Sequence, residues 1–318
     1  MKVTVIGCGR WGSCIAWYLD RTGHDVTVYG IKGTPEIEGL IETRKNKLLT
    51  LPESVKLTTD INCVNDAEVV VISIPSQALS SLAKELHELG LCGKSIVLCM
   101  KGIEISSGKR LSEIVTEELG DKNGVAVWVG PGHVQEFTRG IPNCMVIDSQ
   151  DEKLKEKLVN EFSSDLIRFY YGTDLIGNEI GAAAKNVIGI AAGMLDGMGV
   201  SSLKGALMSR GTREIARLIK AAGGNELSAY GLCHLGDYEA TVFSQFSHNR
   251  AFGEKYVKGE KFESLAEGYY TVKALMNMAE RFSVELPICH AVYSILYEGA
   301  DAKTALDSLF ARTLKSEF

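Results

Sequence analysis

The feature that most constrains the fold is a glycine pattern at the beginning of the chain. The apolar run 3–6 is followed by Gly-Cys-Gly-Arg-Trp-Gly and then by helix-compatible spacing over residues 11–21. A G-x-G-x-x-G pattern is weak alone, but here it follows a strand and opens a helix, which is the context it requires. Gly7 permits the tight turn, Gly9 lets the backbone approach a pyrophosphate, and Gly12 lets helix and strand pack closely. The pattern therefore predicts a dinucleotide at the helix N-terminus.

The end of the second strand candidate, residues 25–29, bears on the choice between NAD and NADP. An Asp or Glu there would hydrogen-bond the adenosine ribose of NAD, but the chain continues Gly-Ile-Lys-Gly. Lys32 would instead face the 2′-phosphate of NADP. The alternative is a solvated loop lysine. We favour NADP as the cofactor and leave NAD use open.

The rest of the first half alternates apolar runs with helical spacing. Further strands are predicted at residues 69–74, 95–100, 125–129, 144–147 and 166–171. Helical spacing lies between them, as in the leucines at positions 79, 82, 86 and 89. Strands that alternate with helices indicate a mostly parallel sheet covered on both faces. We therefore predict an α/β Rossmann domain over residues 1–173.

The pattern changes after residue 173, because strand signals fade. Helices are predicted at residues 178–192, 204–221, 269–282 and 291–300. We predict an all-α C-terminal domain, residues 174–318, that binds substrate and carries the catalytic groups.

Composition narrows the function further. With 34 basic and 40 acidic residues the net charge is −6, which argues against general binding of nucleic acid or anionic membranes. No uncharged apolar stretch approaches the ~20 residues of a membrane span. The eight cysteines and six histidines show no metal-site spacing. We expect a cytoplasmic protein with reduced thiols and no metal, and a solvated helix face over the charged run 151–157.

Several separate motifs carry a resemblance over essentially the whole chain. After the Gly-x-Gly-x-Trp-Gly opening come, in order, Lys-Gly-Ile-Glu at 101–104, Gly-Pro at 130–131, Lys-Asn-Val at 185–187, Gly-Asp at 236–237, Asn-Arg at 249–250 and Glu-Gly at 267–268. In order and approximate spacing the sequence resembles the NAD(P)-dependent glycerol-3-phosphate dehydrogenases. The resemblance implies reversible reduction of dihydroxyacetone phosphate to sn-glycerol 3-phosphate, which supplies phospholipid head groups. It also implies a Rossmann domain, a helical substrate domain and, since similar enzymes are often dimers, a homodimer.

The resemblance also implies roles for individual residues. Lys185 matches the catalytic lysine, Asp237 the carboxylate beside it, and Lys101 the lysine that reaches both cofactor and substrate. The expected substrate contacts are Lys101, Gly130, Gly132, Lys185, Asn186, Asp237, Thr241, Ser247, His248 and Asn249. The expected cofactor contacts, beyond the three glycines and Lys32, are Arg10, Trp11, Ile31, Lys101, Val134, His248 and Glu267.

The chemistry independently requires such groups. Hydride transfer to a ketone builds negative charge on the carbonyl oxygen, and a cation beside that oxygen stabilises the transition state. A lysine also supplies the proton when burial or a neighbouring cation lowers its pKa. Lys185 follows Gly-Ala-Ala-Ala, which would let its helix approach the nicotinamide. Asp237 would hold the ammonium or, alternatively, cap a helix. Thr241, one helical turn later, would hydrogen-bond the substrate oxygen.

Three segments depart from the family. Most bacterial members read Ser-Arg-Asn-Arg where this chain has Ser-His-Asn-Arg at 247–250, and histidine lacks the guanidinium fork. Either His248 donates one bond to phosphate while Arg250 or Lys204 supplies charge, or the pocket takes another substrate. Gly132 removes a serine hydroxyl from the Gly-Pro loop. His133 beside it is either a ligand or a surface or packing residue.

The third departure is Tyr-Glu-Ala-Thr-Val-Phe after Gly-Asp, where the family usually continues with an apolar residue and Leu-Thr-Cys-Thr. The alternative function is therefore a reductase of the same fold and cofactor that acts on a different small ketone or ketol phosphate. A dinucleotide-binding sensor without turnover is a third hypothesis. Retention of Lys101, Lys185 and Asp237 argues against it.

Overall fold

The structure is a computed structural model that describes residues 1–313 and residue 316. Its strands are β1 (Lys2–Ile6), β2 (Asp25–Tyr29), β3 (Lys56–Thr58), β4 (Val69–Ile72), β5 (Ser95–Leu98), β6 (Gly124–Val129), β7 (Asn143–Ser149) and β8 (Ile167–Tyr171). Its helices are α1 (Arg10–Arg21), α2 (Pro35–Thr43), α3 (Leu79–Glu88), α4 (Leu111–Leu119), α5 (Val134–Phe137), α6 (Glu152–Phe162), α7 (Leu175–Gly197), α8 (Lys204–Ala221), α9 (His248–Val257), α10 (Glu267–Arg281), α11 (Pro287–Tyr297) and α12 (Ala302–Phe310).

The strands form one sheet in the order β3-β2-β1-β4-β5-β6-β7-β8. Neighbouring strands are parallel except β6 and β7, which are antiparallel. The predicted mostly parallel α/β fold is confirmed, while the antiparallel pair is an addition that the alternating pattern did not indicate. All four residues of β4 are buried, as expected for a strand covered on both faces. The strand order reverses between β1 and β4, and the carboxyl ends of strands at such a point form a ligand-binding crevice.

Two elements near the second strand were not predicted. β3 has only three residues, Lys-Leu-Thr, and lies at the sheet edge with no buried residue. α2 has nine residues and buries only Ile37 and Leu40. Both are too short, and bury too little, to leave a periodic apolar pattern.

The charged run after residue 150 forms α6, but the expectation of a fully solvated face is wrong at one position. Lys155 is only 3% exposed. Its ammonium donates to the carbonyl oxygen of Gly172 at 2.7 Å and to Glu152 at 2.8 Å. A buried charge is tolerated because it is paired and hydrogen-bonded.

The described chain divides into two compact units, residues 1–101 with 109–175, and residues 102–108 with the described residues after 175. The expected division after residue 173 did not assign 102–108 to the helical unit. Ile103 in that segment is fully buried in the core of the helical unit, and Asn277 donates a hydrogen bond to the carbonyl oxygen of Ile105.

The helical unit is built around α7, which is buried along most of its length. Glycines let other segments approach it closely, since a Cβ at Gly193 would lie 1.9 Å from the carbonyl oxygen of Arg250 in α9. A Cβ at Gly253 would likewise lie 2.1 Å from the carbonyl oxygen of Ile190. Within residues 1–313 and 316, no helix combines the length and apolarity needed to cross a membrane.

Candidate active site

The glycine-rich turn lies at the reversal point of the sheet. Gly7 has φ +106°, and a Cβ there would lie 2.2 Å from the carbonyl oxygen of Ser73, which follows β4. A Cβ at Gly12 would lie 2.0 Å from the carbonyl oxygen of Gly7. Both positions therefore exclude a side chain. Around Gly9, by contrast, no atom of the described residues other than its chain neighbours lies within 4 Å of the Cβ position, so space remains open above the turn.

The start of α1 has the features expected beside a dinucleotide. Gly9 is its N-cap and provides no side-chain hydrogen bond, so the first-turn N–H groups and the helix dipole suit a phosphate. The indole N–H of Trp11 is buried and has no hydrogen-bond partner among residues 1–313 and 316. The Trp11 ring packs on Phe137, with centroids 6.1 Å apart. The turn, the open space and the buried donor fit a dinucleotide cofactor.

The packing at the end of β2 explains why no acidic residue of the kind that binds the ribose of NAD follows this strand. A Cβ at Gly30 would lie 2.6 Å from Cβ of Ile37 and 2.8 Å from Sγ of Cys8. No carboxylate fits at this position without repacking. The next two residues are exposed, and Ile31 is 65% exposed. Ile31 and Lys32 are therefore accessible beside the end of β2.

The loops after β5 and β6 bring together more of the predicted residues. The Lys101 ammonium donates to the carbonyl oxygen of Gly130 at 2.5 Å. Gly130 has φ +127°, which favours glycine. Val134 is buried at the start of α5, and His133 is the N-cap of that helix.

Packing also accounts for Gly132, one of the departures from the family. A Cβ there would lie 2.6 Å from the Phe137 ring. A serine would clash unless the ring moved. The missing hydroxyl is therefore coupled to the Phe137–Trp11 packing.

In the helical unit a buried lysine forms the centre of a polar cluster. Lys185 on α7 is 8% exposed, and its Nζ lies 3.0 Å from Oδ2 of Asp237. It also donates to Oγ1 of Thr241 at 2.8 Å. Asp237 and Thr241 are buried as well. The cluster can hold an ammonium in a fixed direction next to a hydroxyl.

The segment that carries Asp237 and Thr241 contains neither an α-helix nor a strand. Asp237 ends a 3-10 turn, Leu235–Asp237, and Thr241 lies in a single π-helical turn, Glu239–Phe243. A Cβ at Gly189 would lie 2.6 Å from Cγ2 of Thr241, so this glycine lets the turn approach α7. Short π-helical segments occur frequently at functional sites.

A second polar chain runs from the residue after Lys185. Asn249 donates from Nδ2 to Oδ1 of Asn186 at 3.0 Å and accepts from the backbone N–H of Gly268 at 2.9 Å. Gly268 follows Glu267, the first residue of α10. These contacts connect α7, α9 and α10 beside the lysine cluster.

The Ser-His-Asn-Arg segment lies at the start of α9, and its side chains make separate contacts. Ser247 is the N-cap, and its hydroxyl accepts from the N–H of Arg250. Nδ1 of His248 lies 3.3 Å from the carbonyl oxygen of Leu265, so it is the donor. This contact joins the start of α9 to the chain just before α10.

The two cations considered as substitutes for the missing arginine are engaged elsewhere. Arg250 and Lys204 both contact Oδ2 of Asp196, at 2.8 Å and 2.6 Å. Arg250 also pairs with Glu254 at 3.0 Å. This network holds both charges on the Asp196 carboxylate.

Sequence reasoning missed a buried pair next to the cluster. His234 and Tyr238 are fully buried, and the Tyr238 hydroxyl lies 2.7 Å from Nε2 of His234. Two features of the sequence could have indicated this pair. The two residues are four positions apart, and Tyr238 begins the Tyr-Glu-Ala-Thr-Val-Phe segment that departs from the family. Among residues 1–313 and 316, no group of three or more His, Cys, Asp or Glu side chains is arranged to hold a metal ion.

A glycine turn at the reversal point of a parallel sheet, together with a helical unit that buries a lysine, a carboxylate and a hydroxyl, defines a two-domain NAD(P)-dependent dehydrogenase. Family models agree along the sequence. Residues 2–155 match the NAD-dependent glycerol-3-phosphate dehydrogenase N-terminus, and residues 174–307 match the C-terminus of the same family. The chain belongs to the NAD-dependent glycerol-3-phosphate dehydrogenase family.

Individual relatives are similar over their full length. The chain is 36% identical to a glycerol-3-phosphate dehydrogenase (NAD(P)+) of Thermoanaerobacter sp. (strain X514), covering 100% of this chain and 99% of the relative. It is also 36% identical to the enzyme of that name from Fusobacterium nucleatum, covering 100% and 98%. A crystal structure of glycerol-3-phosphate dehydrogenase from Coxiella burnetii is 26% identical, with a TM-score of 0.91 and coverage of 98% and 99%.

Proposed function

We propose that this protein interconverts dihydroxyacetone phosphate and sn-glycerol 3-phosphate, with Lys185 as general acid and base. The observation that carries the proposal is the buried contact of Lys185 with Asp237 and Thr241. It occurs in a chain that matches the family over both of its parts. A buried, oriented ammonium is the group that ketone reduction requires at the carbonyl oxygen.

The role of each side chain in the cluster follows from its charge or, for Thr241, from its hydroxyl group. When bound, the nicotinamide supplies the hydride that adds to the carbonyl carbon. The Lys185 ammonium stabilises the charge that develops on the carbonyl oxygen and then gives that oxygen a proton. Asp237 keeps the ammonium charged and directed before transfer. Thr241 donates its hydroxyl to the same oxygen. In the reverse reaction the neutral amine of Lys185 removes the alcohol proton.

Other predicted residues would bind the substrate around this centre. Asn186 and Asn249 present amides fixed by their mutual hydrogen bond. We assign His248 to the substrate phosphate, because Arg250 and Lys204 are both held by Asp196. The assignments of Ser247, Gly130, Gly132 and Lys101 to substrate follow the family motifs and belong to the same proposal.

The sheet unit would hold the cofactor. The residues proposed to contact it are Gly7, Gly9, Arg10, Trp11, Gly12, Ile31, Lys32, Lys101 and Val134, with His248 and Glu267 from the helical unit. NADP is preferred over NAD in this proposal, since Gly30 excludes a carboxylate and Lys32 is exposed beside it.

Two further expectations concern the setting of the reaction. We propose a cytoplasmic location, because all eight cysteines are free thiols, as a reducing compartment favours. We also propose a homodimer, as in many similar enzymes. Light scattering coupled to size-exclusion chromatography measures the second directly, and a monomeric mass at micromolar concentration contradicts it.

The test is a screen of substrates and cofactors near pH ~7, in which turnover is measured as the loss of NAD(P)H absorbance. We expect turnover with dihydroxyacetone phosphate, much slower turnover with unphosphorylated dihydroxyacetone, and a higher kcat/KM with NADPH than with NADH. Firm NADPH binding with turnover of a different ketol phosphate only would replace the substrate assignment. It would leave the reaction class in place.

A further inference from the structure

A buried histidine–tyrosine pair lies behind the lysine cluster and takes no part in the chemistry described above. The rings of His234 and Tyr238 are T-shaped, with centroids 4.9 Å apart. The Tyr238 hydroxyl lies 2.7 Å from Nε2 of His234, and Nδ1 of His234 lies 2.9 Å from the carbonyl oxygen of Gly181. Gly181 is one helical turn before Lys185 on α7. The pair therefore connects that turn to the segment that carries Asp237.

The contacts fix the protons on the histidine. A carbonyl oxygen only accepts, so Nδ1 of His234 carries the hydrogen and Nε2 accepts from the Tyr238 hydroxyl. Both ring nitrogens are thus used by a neutral imidazole. Burial lowers the pKa of His234 to about 4, which keeps the ring neutral under physiological conditions. A neutral ring adds no charge next to Lys185 and Asp237.

The surrounding chain is shaped to admit this pair. Gly181 has no side chain, and a Cβ there would lie 3.1 Å from Cβ of His234, so a larger residue would press on the histidine. At the other end, Oγ1 of Thr212 on α8 lies 3.4 Å from the Tyr238 hydroxyl. The pair is therefore held from α7, from α8 and from its own segment.

The charged and titratable groups that face the pair come from several elements. They are Lys185 on α7, Glu214 on α8, Asp237 in the pair's own segment and Cys289 on α11. Of these, Lys185 and Asp237 belong to the reaction. Glu214 accepts hydrogen bonds from the N–H groups of Ile288 and Cys289, so it caps α11.

We propose that His234 and Tyr238 are positioning residues that hold the Asp237–Thr241 segment at a fixed distance from α7. Asp237 lies three residues after His234, and Thr241 lies three residues after Tyr238, so a shift of the pair moves both partners of the Lys185 ammonium. The inference rests on the proposed function, because it assumes that the direction of this ammonium matters for turnover.

The test begins with Tyr238→Phe, which keeps the ring and removes the hydroxyl. His234→Asn is the second variant, since its amide still donates to Gly181 but no longer accepts from Tyr238. The matched control is Tyr297→Phe, which removes a phenol whose hydroxyl donates to the carbonyl oxygen of Tyr269 at 2.7 Å, in the same unit but in a different contact. Circular dichroism and NADPH binding identify the variants that fold.

We expect Tyr238→Phe and His234→Asn to lower kcat by about tenfold or more, with KM changed by less than about twofold. The alkaline limb of the kcat profile should move to lower pH, because a displaced Asp237 holds the ammonium less well. Tyr297→Phe should change neither quantity. A lower melting temperature with wild-type kcat and wild-type pH profile would overturn the inference.

A second readout does not depend on turnover. The rate at which an amine-acylating reagent modifies Lys185, followed by mass spectrometry, should rise in Tyr238→Phe and His234→Asn but not in Tyr297→Phe. Equal rates in all three variants would contradict the positioning role. Absence of turnover by the wild-type protein would contradict the proposed function alone.

Discussion

The neutral state of His234 predicts a specific sensitivity to acid. A histidine in the unfolded chain has a pKa near 6.5, whereas burial lowers that of His234 to about 4 in the folded protein. Between these values the unfolded state binds more protons, so stability rises with pH. This contribution is fully present above the unfolded pKa and is lost as the pH falls toward the folded one. Because protonation is linked to unfolding, the free energy of unfolding should fall by about 2 kcal/mol from pH ~7 to pH ~5.

The perturbation that isolates this effect is His234→Asn, which removes the titrating group. Urea unfolding at several pH values between ~7 and ~5 gives the free energy of unfolding of both proteins. We expect the wild type to lose about 2 kcal/mol more than the variant over this range. His290→Asn, at an exposed histidine on α11, is the control and should behave as the wild type. Parallel losses in the wild type and His234→Asn would refute the reasoning.

Three further predictions concern the cofactor turn, the Gly-Pro loop and the phosphate. Gly12→Ala should lower the melting temperature and weaken NADPH binding at least about tenfold, because its Cβ would lie 2.0 Å from a carbonyl oxygen. Gly9→Ala should weaken NADPH binding with an unchanged melting temperature. Fluorescence titration measures the binding and calorimetry measures the melting temperature of each variant. Gly132→Ser should destabilise by about 1–3 kcal/mol in chemical unfolding, because the Phe137 ring must move, and equal stability would contradict the packing argument. His248→Arg should lower KM for dihydroxyacetone phosphate with kcat unchanged, since a guanidinium makes a charged fork to phosphate; an unchanged KM would place the phosphate elsewhere.

Strong local patterns made most of the sheet unit predictable. Continuous apolar runs indicate strands because such strands are buried on both faces of the sheet. The glycine turn was predictable because close contacts, such as that of Gly12 with the carbonyl oxygen of Gly7, leave no room for a side chain. The same patterns do not report orientation, so β7 was not recognised as antiparallel to β6. α9 was not predicted either, because it buries only Gly253 and begins with polar residues.

The site was less predictable, because its contacts are non-local. Lys185 was named from its motif and its small neighbours, yet its bonds to residues 52 and 56 positions away depend on how α7 packs. The small size of Gly181 also serves a purpose that its sequence context did not reveal, since it admits His234. Sequence reasoning offered Arg250 as a source of charge, but its partner Asp196 is 54 positions away and was not visible in the motif.

The most direct test of the account compares wild type, Lys185→Met and Lys273→Met in NADPH-dependent reduction of dihydroxyacetone phosphate. Lys273 lies on an exposed face of α10, so its variant controls for the loss of one charge. We expect wild-type turnover in Lys273→Met. In Lys185→Met we expect a loss of kcat of at least about a hundredfold with NADPH binding retained. Wild-type turnover in Lys185→Met would remove this lysine from the mechanism and contradict the central claim.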